Sequence, residues 1–225
     1  MLPYSALAFD VYGTLIDTNG VLKKLQSHVS ERASAVAATW RAKQLEYSFR
    51  RGLMERYVPF PVVTEQALAY ALKHHQVALS DEATVDILSS YAELPAFDDA
   101  RQALQALQRA QIQCFAFSNG PQKVVSDLLK QAELLDYFQQ VVSVEVTNTF
   151  KPSPKVYQHF AAQAGYPISK CALVSGNPFD IIGAKTAGMG AIWVRRNPAT
   201  TFDQWDIEPD LVIDNLGALV DAVMG

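Results

Sequence analysis

The chain has 225 residues, 49% of them hydrophobic, and a formal net charge of −4. That is enough apolar material for a sizeable core, either one large domain or one domain carrying an insertion. The charge balance, without any basic block, excludes a nucleic-acid partner from the reading, and no apolar run approaches membrane-spanning length. Met1-Leu2-Pro3-Tyr4 is not a basic leader ahead of an apolar stretch, so the expectation is no signal peptide and a cytoplasmic protein. Cys114 and Cys171 sit in or beside apolar strand-like runs, and neither belongs to a C-x-x-C pair. Both are expected to be inert buried thiols.

The first predicted element is Ala6-Leu7-Ala8-Phe9, a short apolar run typical of a strand buried on both faces. Asp10 ends it, at the edge where open α/β sheets place their chemistry. Gly13 permits a tight turn there, and Thr14 brings a hydroxyl near the carboxylate. From Val21 to about Leu94 the pattern is helix after helix. Leu22, Leu25 and Val29 form one apolar stripe; Val36, Trp40, Leu45, Phe49 and Leu53 form a longer one. Ala67, Leu68, Ala71 and Leu72 give a third, and Val85, Leu88 and Tyr91 a fourth. Pro59 and Pro61 interrupt the block.

From Pro95 the rhythm becomes helix and strand in alternation. Asp98 is expected to cap a helix running through Arg109. Strands are predicted at Cys114–Phe117, Val141–Ser143, Ala172–Ser175, Ala191–Val194 and Leu211–Ile213, with helices after Pro121, Pro154 and Pro178. Apolar strands alternating with helices define an α/β, doubly wound parallel sheet. The expected division is a core of residues 1–17 and 95–225 with a helical cap, 18–94, inserted after the first strand.

Three helix starts share one feature. Ser118-Asn119-Gly120-Pro121, Lys151-Pro152-Ser153-Pro154 and Ser175-Gly176-Asn177-Pro178 each place a cap-type residue near a proline suited to the first helical position. Two of these turns lie at carboxyl ends of strands, on the edge that holds Asp10. Backbone N–H groups at helix starts favour an anion. A lysine beside a carboxylate keeps it ionised and oriented. Lys151 is the candidate for that task, and Asp180 opens the helix after Pro178.

The chain order Asp10, Thr14, Ser118, Lys151, Ser175, Asp180 resembles the haloacid dehalogenase superfamily, most of whose members are phosphatases. Those phosphatases carry a second aspartate where this chain has Tyr12, and use it to protonate the leaving alcohol. A phenol with a pKa near ~10 is a poor acid for that task. The motif therefore suits a leaving group that needs no proton, such as halide. The resemblance narrows to the L-2-haloacid dehalogenases through Phe9–Leu15, Trp40–Tyr47, Ser118-Asn119-Gly120, Phe150-Lys151-Pro152 with Val156-Tyr157, and Val174–Asp180 with Gly183-Ala184.

That resemblance implies roles. Asp10 would be the nucleophile, forming an ester at the alpha carbon of a 2-haloalkanoate with inversion. Arg41 and Asn119 would cradle the halide, and Ser118 the substrate carboxylate. Lys151 and Tyr157 would fix the nucleophile and its neighbours. Thr14 would hydrogen-bond Asp10, Asp180 would help activate water, and Ser175 and Asn177 would position the parts. Tyr12, Leu45, Phe60 and Phe179 would line the substrate pocket. It also implies a homodimer acting on a small-molecule 2-haloacid, without a cofactor.

The chain departs from the family pattern at Ala42, where glutamine is frequent, at Gly176, where serine is common, and at Phe179, where tryptophan is common. All three are expected to flank the pocket and to affect its size and halide preference. Asn177 replaces an aspartate expected of magnesium-dependent relatives, so no metal requirement is expected. The runner-up function is a small-metabolite phosphatase of the same superfamily. A non-catalytic small-anion binder is a third reading, disfavoured by the intact Asp10, Lys151 and Asp180 set.

Overall fold

The computed structural model describes residues 3–224. Six strands, β1 (Ala6–Asp10), β2 (Gln113–Ser118), β3 (Val141–Ser143), β4 (Cys171–Ser175), β5 (Gly190–Val194) and β6 (Leu211–Ile213), form one sheet in the order β3-β2-β1-β4-β5-β6. Every pairing is parallel. β1, β4 and β5 are buried along their whole length, the pattern of strands covered on both faces. The sheet is the doubly wound parallel arrangement expected from the strand and helix rhythm.

The order puts β1 at the switch point, between β2 and β4. Asp10 lies opposite Phe117, and Phe9 opposite Val174, so Asp10, Ser118 and Ser175 end three neighbouring strands at one edge. Open α/β sheets bind their ligands at this place.

Between β1 and β2 run α1 (Asn19–Val29), α2 (Ala33–Leu53), α3 (Phe60–His74) and α4 (Asp81–Ser89), followed by α5 (Ala100–Arg109). The chain leaves and returns side by side: the Asp17 N–H donates to Pro95 O at 2.8 Å, and the Phe97 N–H to Leu15 O at 2.9 Å. Leu25, Val36, Trp40, Ala67, Leu68 and Ala71 are buried, as their stripes predict. Two stripes run differently. Leu53, the last residue of α2, is 88% exposed. Val85 is 65% exposed, while Ile87 is fully buried. The nine-residue α4 begins at Asp81, where the Ser80 hydroxyl accepts the Ala83 N–H at 3.2 Å. Tyr91 falls beyond its end, in a short 3₁₀ turn.

The remaining helices, α6 (Gln122–Gln131), α7 (Pro154–Ala164), α8 (Pro178–Ala187) and α9 (Leu216–Met224), cover the sheet. Asp98 does not cap α5; the residue before that helix is Asp99, whose side chain takes no capping bond. It binds the Arg196 guanidinium at 2.6 Å and the Leu216 N–H at 2.7 Å instead. Of the three proline turns, Pro154 and Pro178 open α7 and α8 as expected. Pro121 precedes α6 rather than opening it, and none of α6, α7 or α8 has a side-chain cap. Ser118, Asn119, Ser175 and Asn177, at the turns before α6 and α8, are engaged in the site instead. Cys114 and Cys171 are buried free thiols, and burial pushes them up to about 12 and about 11. Among the described residues no helix is long and apolar enough to cross a membrane.

Candidate active site

Asp10 is almost buried and both its oxygens hold donors. Lys151 Nζ donates to Oδ1 at 3.0 Å. Oδ2 accepts from Thr14 Oγ1 at 2.9 Å, from Asn177 Nδ2 at 2.8 Å and, more weakly, from Ser175 Oγ at 3.4 Å. The crowding on Oδ2 leaves Oδ1 as the oxygen with a single partner.

Lys151 is 2% exposed and uses all three ammonium hydrogens: on Asp10, on Phe117 O at 2.9 Å, and on Asp180 Oδ2 at 2.8 Å. Its nitrogen also sits 4.2 Å from the centre of the Phe117 ring. Burial alone would lower its pKa; the charges of Asp10 and Asp180 outweigh that, and the net direction is upward. Asp180, with no exposed surface, accepts Tyr157 Oη on Oδ1 at 2.6 Å. Burial raises its pKa against the opposing pull of Lys151. Tyr157 is raised well above its ordinary value, first by burial and then by Asp180.

Above Asp10 lies a cavity of about 580 Å³, lined mostly by apolar side chains. Asp10, Tyr12, Arg41, Leu45, Phe60, Ser118, Asn119, Lys151, Asn177 and Phe179 all line it. Thr14, Tyr157, Ser175 and Asp180 do not; they stand behind Asp10 and Lys151. Ser118 Oγ accepts the Gly120 N–H at 3.1 Å, which leaves its own hydrogen for a ligand. Asn119 Oδ1 accepts the Lys151 backbone N–H at 2.9 Å, leaving its NH₂ end for the cavity. Burial drives the Tyr12 phenol above its ordinary range, with Tyr91 and Asp10 adding to the shift. Tyr12 is therefore a still weaker acid than its residue type suggests.

The helical block contributes Arg41. Its guanidinium donates to Asn177 Oδ1 at 3.1 Å and to Gln44 Oε1 at 2.9 Å. Gln44 is 1% exposed, and its Nε2 donates to Thr64 Oγ1 at 2.7 Å. Thr64 in turn donates to Phe60 O at 3.0 Å and accepts the Trp40 indole N–H on its carbonyl at 2.8 Å. So α2 and α3 together hold Arg41. Gln44 was not singled out from sequence, though the signal is there: a polar residue three positions after Arg41 and four after buried Trp40, on the same helix face.

A second supporting residue is Arg196, which donates to Thr14 O at 2.6 and 3.2 Å and lies over the Phe97 ring. Nothing local in the sequence marks it, since its partners are remote in the chain.

Of the three departures, only Phe179 lines the cavity, with its ring edge-to-face on Phe49 at 5.2 Å. Ala42 is exposed on α2 and does not reach the cavity. Gly176 sits where two loops cross. A Cβ there would lie 2.4 Å from Gly13 O, and Gly13 itself adopts φ +79°. The crossing lets the Gly176 N–H donate to Thr14 Oγ1 at 2.8 Å.

A divalent cation does not fit this donor set. Asp10 spends its oxygens on an ammonium, a hydroxyl and an amide, and Asn177 presents Nδ2 to it as a donor. Lys151 already supplies the positive charge between Asp10 and Asp180. Among the described residues no group of three or more His, Cys, Asp or Glu side chains converges.

A carboxylate at the switch point of a doubly wound sheet, backed by a buried lysine, agrees with what the comparisons give. The family model for haloacid dehalogenase-like hydrolases matches residues 4–188, and the chain belongs to that family. Within it the branch is that of the (S)-2-haloacid dehalogenases. The (S)-2-haloacid dehalogenase of Pseudomonas fluorescens is 33% identical over 94% of this chain and 92% of the relative. The haloacetate dehalogenase H-2 of Moraxella sp. (strain B) is 29% identical over 98% of both. The L-2-haloacid dehalogenase of Xanthobacter autotrophicus, solved with chloropropionic acid covalently bound, superposes with a TM-score of 0.92 at 31% identity, over 99% of each chain.

Gly176→Ala tests the loop crossing. The added methyl must displace the Gly13 carbonyl, and such overpacking costs about 1–3 kcal/mol. For a chain of this size the melting temperature is expected to fall by roughly 3–10 °C. A melting temperature unchanged within 1 °C would show that the crossing has slack.

Proposed function

We propose that the protein hydrolyses short L-2-haloalkanoic acids to D-2-hydroxy acids through an ester on Asp10. The observation that carries this reading is the floor of the cavity. Asp10 stands there ionically paired and hydrogen-bonded, while the residue two positions on is a buried phenol rather than a leaving-group acid.

In the first step Oδ1 attacks the alpha carbon and the carbon–halogen bond breaks, the halide leaving with the bonding pair. Ser118 and the Asn119 region hold the substrate carboxylate. Arg41, aimed by Gln44 and Asn177, meets the departing halide together with Asn119. Tyr12, Leu45, Phe60 and Phe179 form the apolar wall. In the second step water attacks the Asp10 carbonyl carbon, and the bond to Oδ1 breaks, so the product keeps that oxygen. One water proton goes to the new hydroxyl group and the other leaves through Asp180. In the resting site both Asp180 oxygens hold donors. Water reaches it once esterification has neutralised Asp10 and freed Lys151 from one of its two carboxylates. No metal or cofactor enters these steps. The helical block, residues 18–94, acts as the cap. The homodimer that the family resemblance implies belongs to the same reading.

The deciding assay compares halide release from L-2-chloropropionate with phosphate release from an aryl phosphate, both in excess EDTA. The expected result is halide release only. Phosphate release restored by Mg²⁺ would establish the phosphatase instead. A single turnover in heavy-oxygen water should place the label on Asp10 and not in the hydroxy acid. Asp10→Asn should be inactive, because a neutral amide does not displace halide.

Charge grows on the halogen only as its bond breaks, so the Arg41 contact acts mainly in the transition state. Arg41→Lys keeps the charge and loses the planar fork. It should lower kcat more than it raises KM, by up to about 3 kcal/mol or a hundredfold. Gln44→Leu should give a smaller loss of the same kind. Near-native kcat in Arg41→Ala would place the halide contact elsewhere.

The pH profile follows from the buried groups. Asp180 accepts a proton, so its raised pKa moves the acid limb of kcat above the ordinary carboxylate value of 3.8. Lys151 must stay charged and Tyr157 neutral. Both are raised, from 10.5 and 10.0, so no alkaline loss is expected below about pH 10. A kcat limb at or below pH 3.8, measured by halide release, would remove Asp180 from the proton-accepting role.

A further inference from the structure

The cavity is larger than a two- or three-carbon acid needs. At about 580 Å³ it lies in the range of sites for much larger ligands, roughly 300–1,000 Å³. A chloropropionate displaces on the order of four waters, roughly 120 Å³ at ~30 Å³ each. Most of the polar lining groups lie around Asp10, Arg41, Ser118 and Asn177; Thr18 and Asn19 at the start of α1 and Glu65 of α3 also reach the cavity. The far part is lined by Leu22 of α1, Ala37 of α2, Leu88 of α4, Tyr91 and, on α6, Val124. No charged side chain of α1, α4 or α6 lines it.

Tyr12 joins the two parts. It borders Asp10, and its ring meets Tyr91 edge-to-face at 6.1 Å; Tyr91 meets Trp40 the same way at 5.5 Å. The arm ends where Asn19, Ala92 and Val124 are exposed. A chain leaving the alpha carbon along the Tyr12 face therefore has a continuous apolar course to the surface.

Resting on the dehalogenase reading, we infer that this arm is a subsite for the alkyl chain of medium-length 2-haloalkanoic acids, from about hexanoate to decanoate. Seven further methylenes, the difference between propanoate and decanoate, occupy roughly 210 Å³ at ~30 Å³ each; added to the ~120 Å³ of chloropropionate this stays well inside the cavity of about 580 Å³. An arm that served only as a water-filled entrance would need no apolar lining from four separate elements. The polar end fixes the carboxylate and halogen, so chain length is read in the arm alone.

The test is halide release from L-2-bromo acids of increasing length, from propanoate to decanoate. Burying each methylene should lower KM about two- to fourfold until the arm is full. Val124→Trp, at the 39% exposed rim, and Leu88→Trp, deeper in, narrow the arm. Each should lower the ratio of kcat/KM for 2-bromooctanoate over that for 2-bromopropionate at least tenfold. A kcat/KM that falls steadily with chain length in the unmodified protein overturns the inference. So does an unchanged ratio in both folded variants. Absence of halide release from 2-bromopropionate itself would instead overturn the dehalogenase reading on which the inference stands.

Discussion

One ammonium group holds this site together. Lys151 Nζ lies between Asp10 and Asp180, and a buried charge persists only when paired and hydrogen-bonded on every side. All its donors are used, the last by a strand carbonyl, Phe117 O. Without it two carboxylates would face each other beneath the sheet edge, one of them with no access to water. The sheet order is what makes this arrangement possible. β1 carries Asp10, β2 supplies the carbonyl, and the turn after β4 leads to Asp180 on α8. Lys151 enters from the segment after β3, and its backbone N–H is pinned by Asn119. Every component comes from a different connection of the fold.

The rest of the structure keeps that centre from moving. Arg196 clamps the Thr14 carbonyl, the Thr14 hydroxyl holds Asp10, and the Gly176 N–H holds the hydroxyl. On the other side the helical block reaches down with Arg41. Its direction is set by a buried amide, Gln44, whose other end is tied to α3. The centre is thus over-determined from below and single-point adjustable from above. Such a division places rigidity around Asp10, and leaves the apolar cavity to be shaped by side chains of the helices.

The parts legible in the sequence are those governed by short-range pattern. Strands buried on both faces read as apolar runs, and all six lie within a residue of their expected limits. Asp10, Tyr12, Ser118, Asn119, Lys151 and Asn177 come together around one cavity because each follows a strand end or turn that has its own signature. The errors have physical causes. Val85 and Ile87 are both apolar and two positions apart, on opposite sides of α4, so only one of them can face inward, and it is Ile87. Leu53 continues a stripe that runs out into solvent at the last residue of α2. The prolines and cap-type residues announced helix starts correctly, but the side chains were recruited by the site. Arg196 was invisible, because the carbonyl it holds is 182 positions away.

Asn177 has a consequence of its own. Its amide nitrogen faces Asp10 and its amide oxygen faces Arg41. The two ends of one small amide dipole thus join a carboxylate on β1 to a guanidinium on α2. An isosteric aspartate would offer acceptors at both ends. Toward Asp10 it would set carboxylate against carboxylate, a pair that holds only if one is protonated or a cation lies between them. The identity of one atom, nitrogen in place of oxygen, therefore decides whether this contact is a hydrogen bond or a repulsion. It does so with no change in the size or path of the chain.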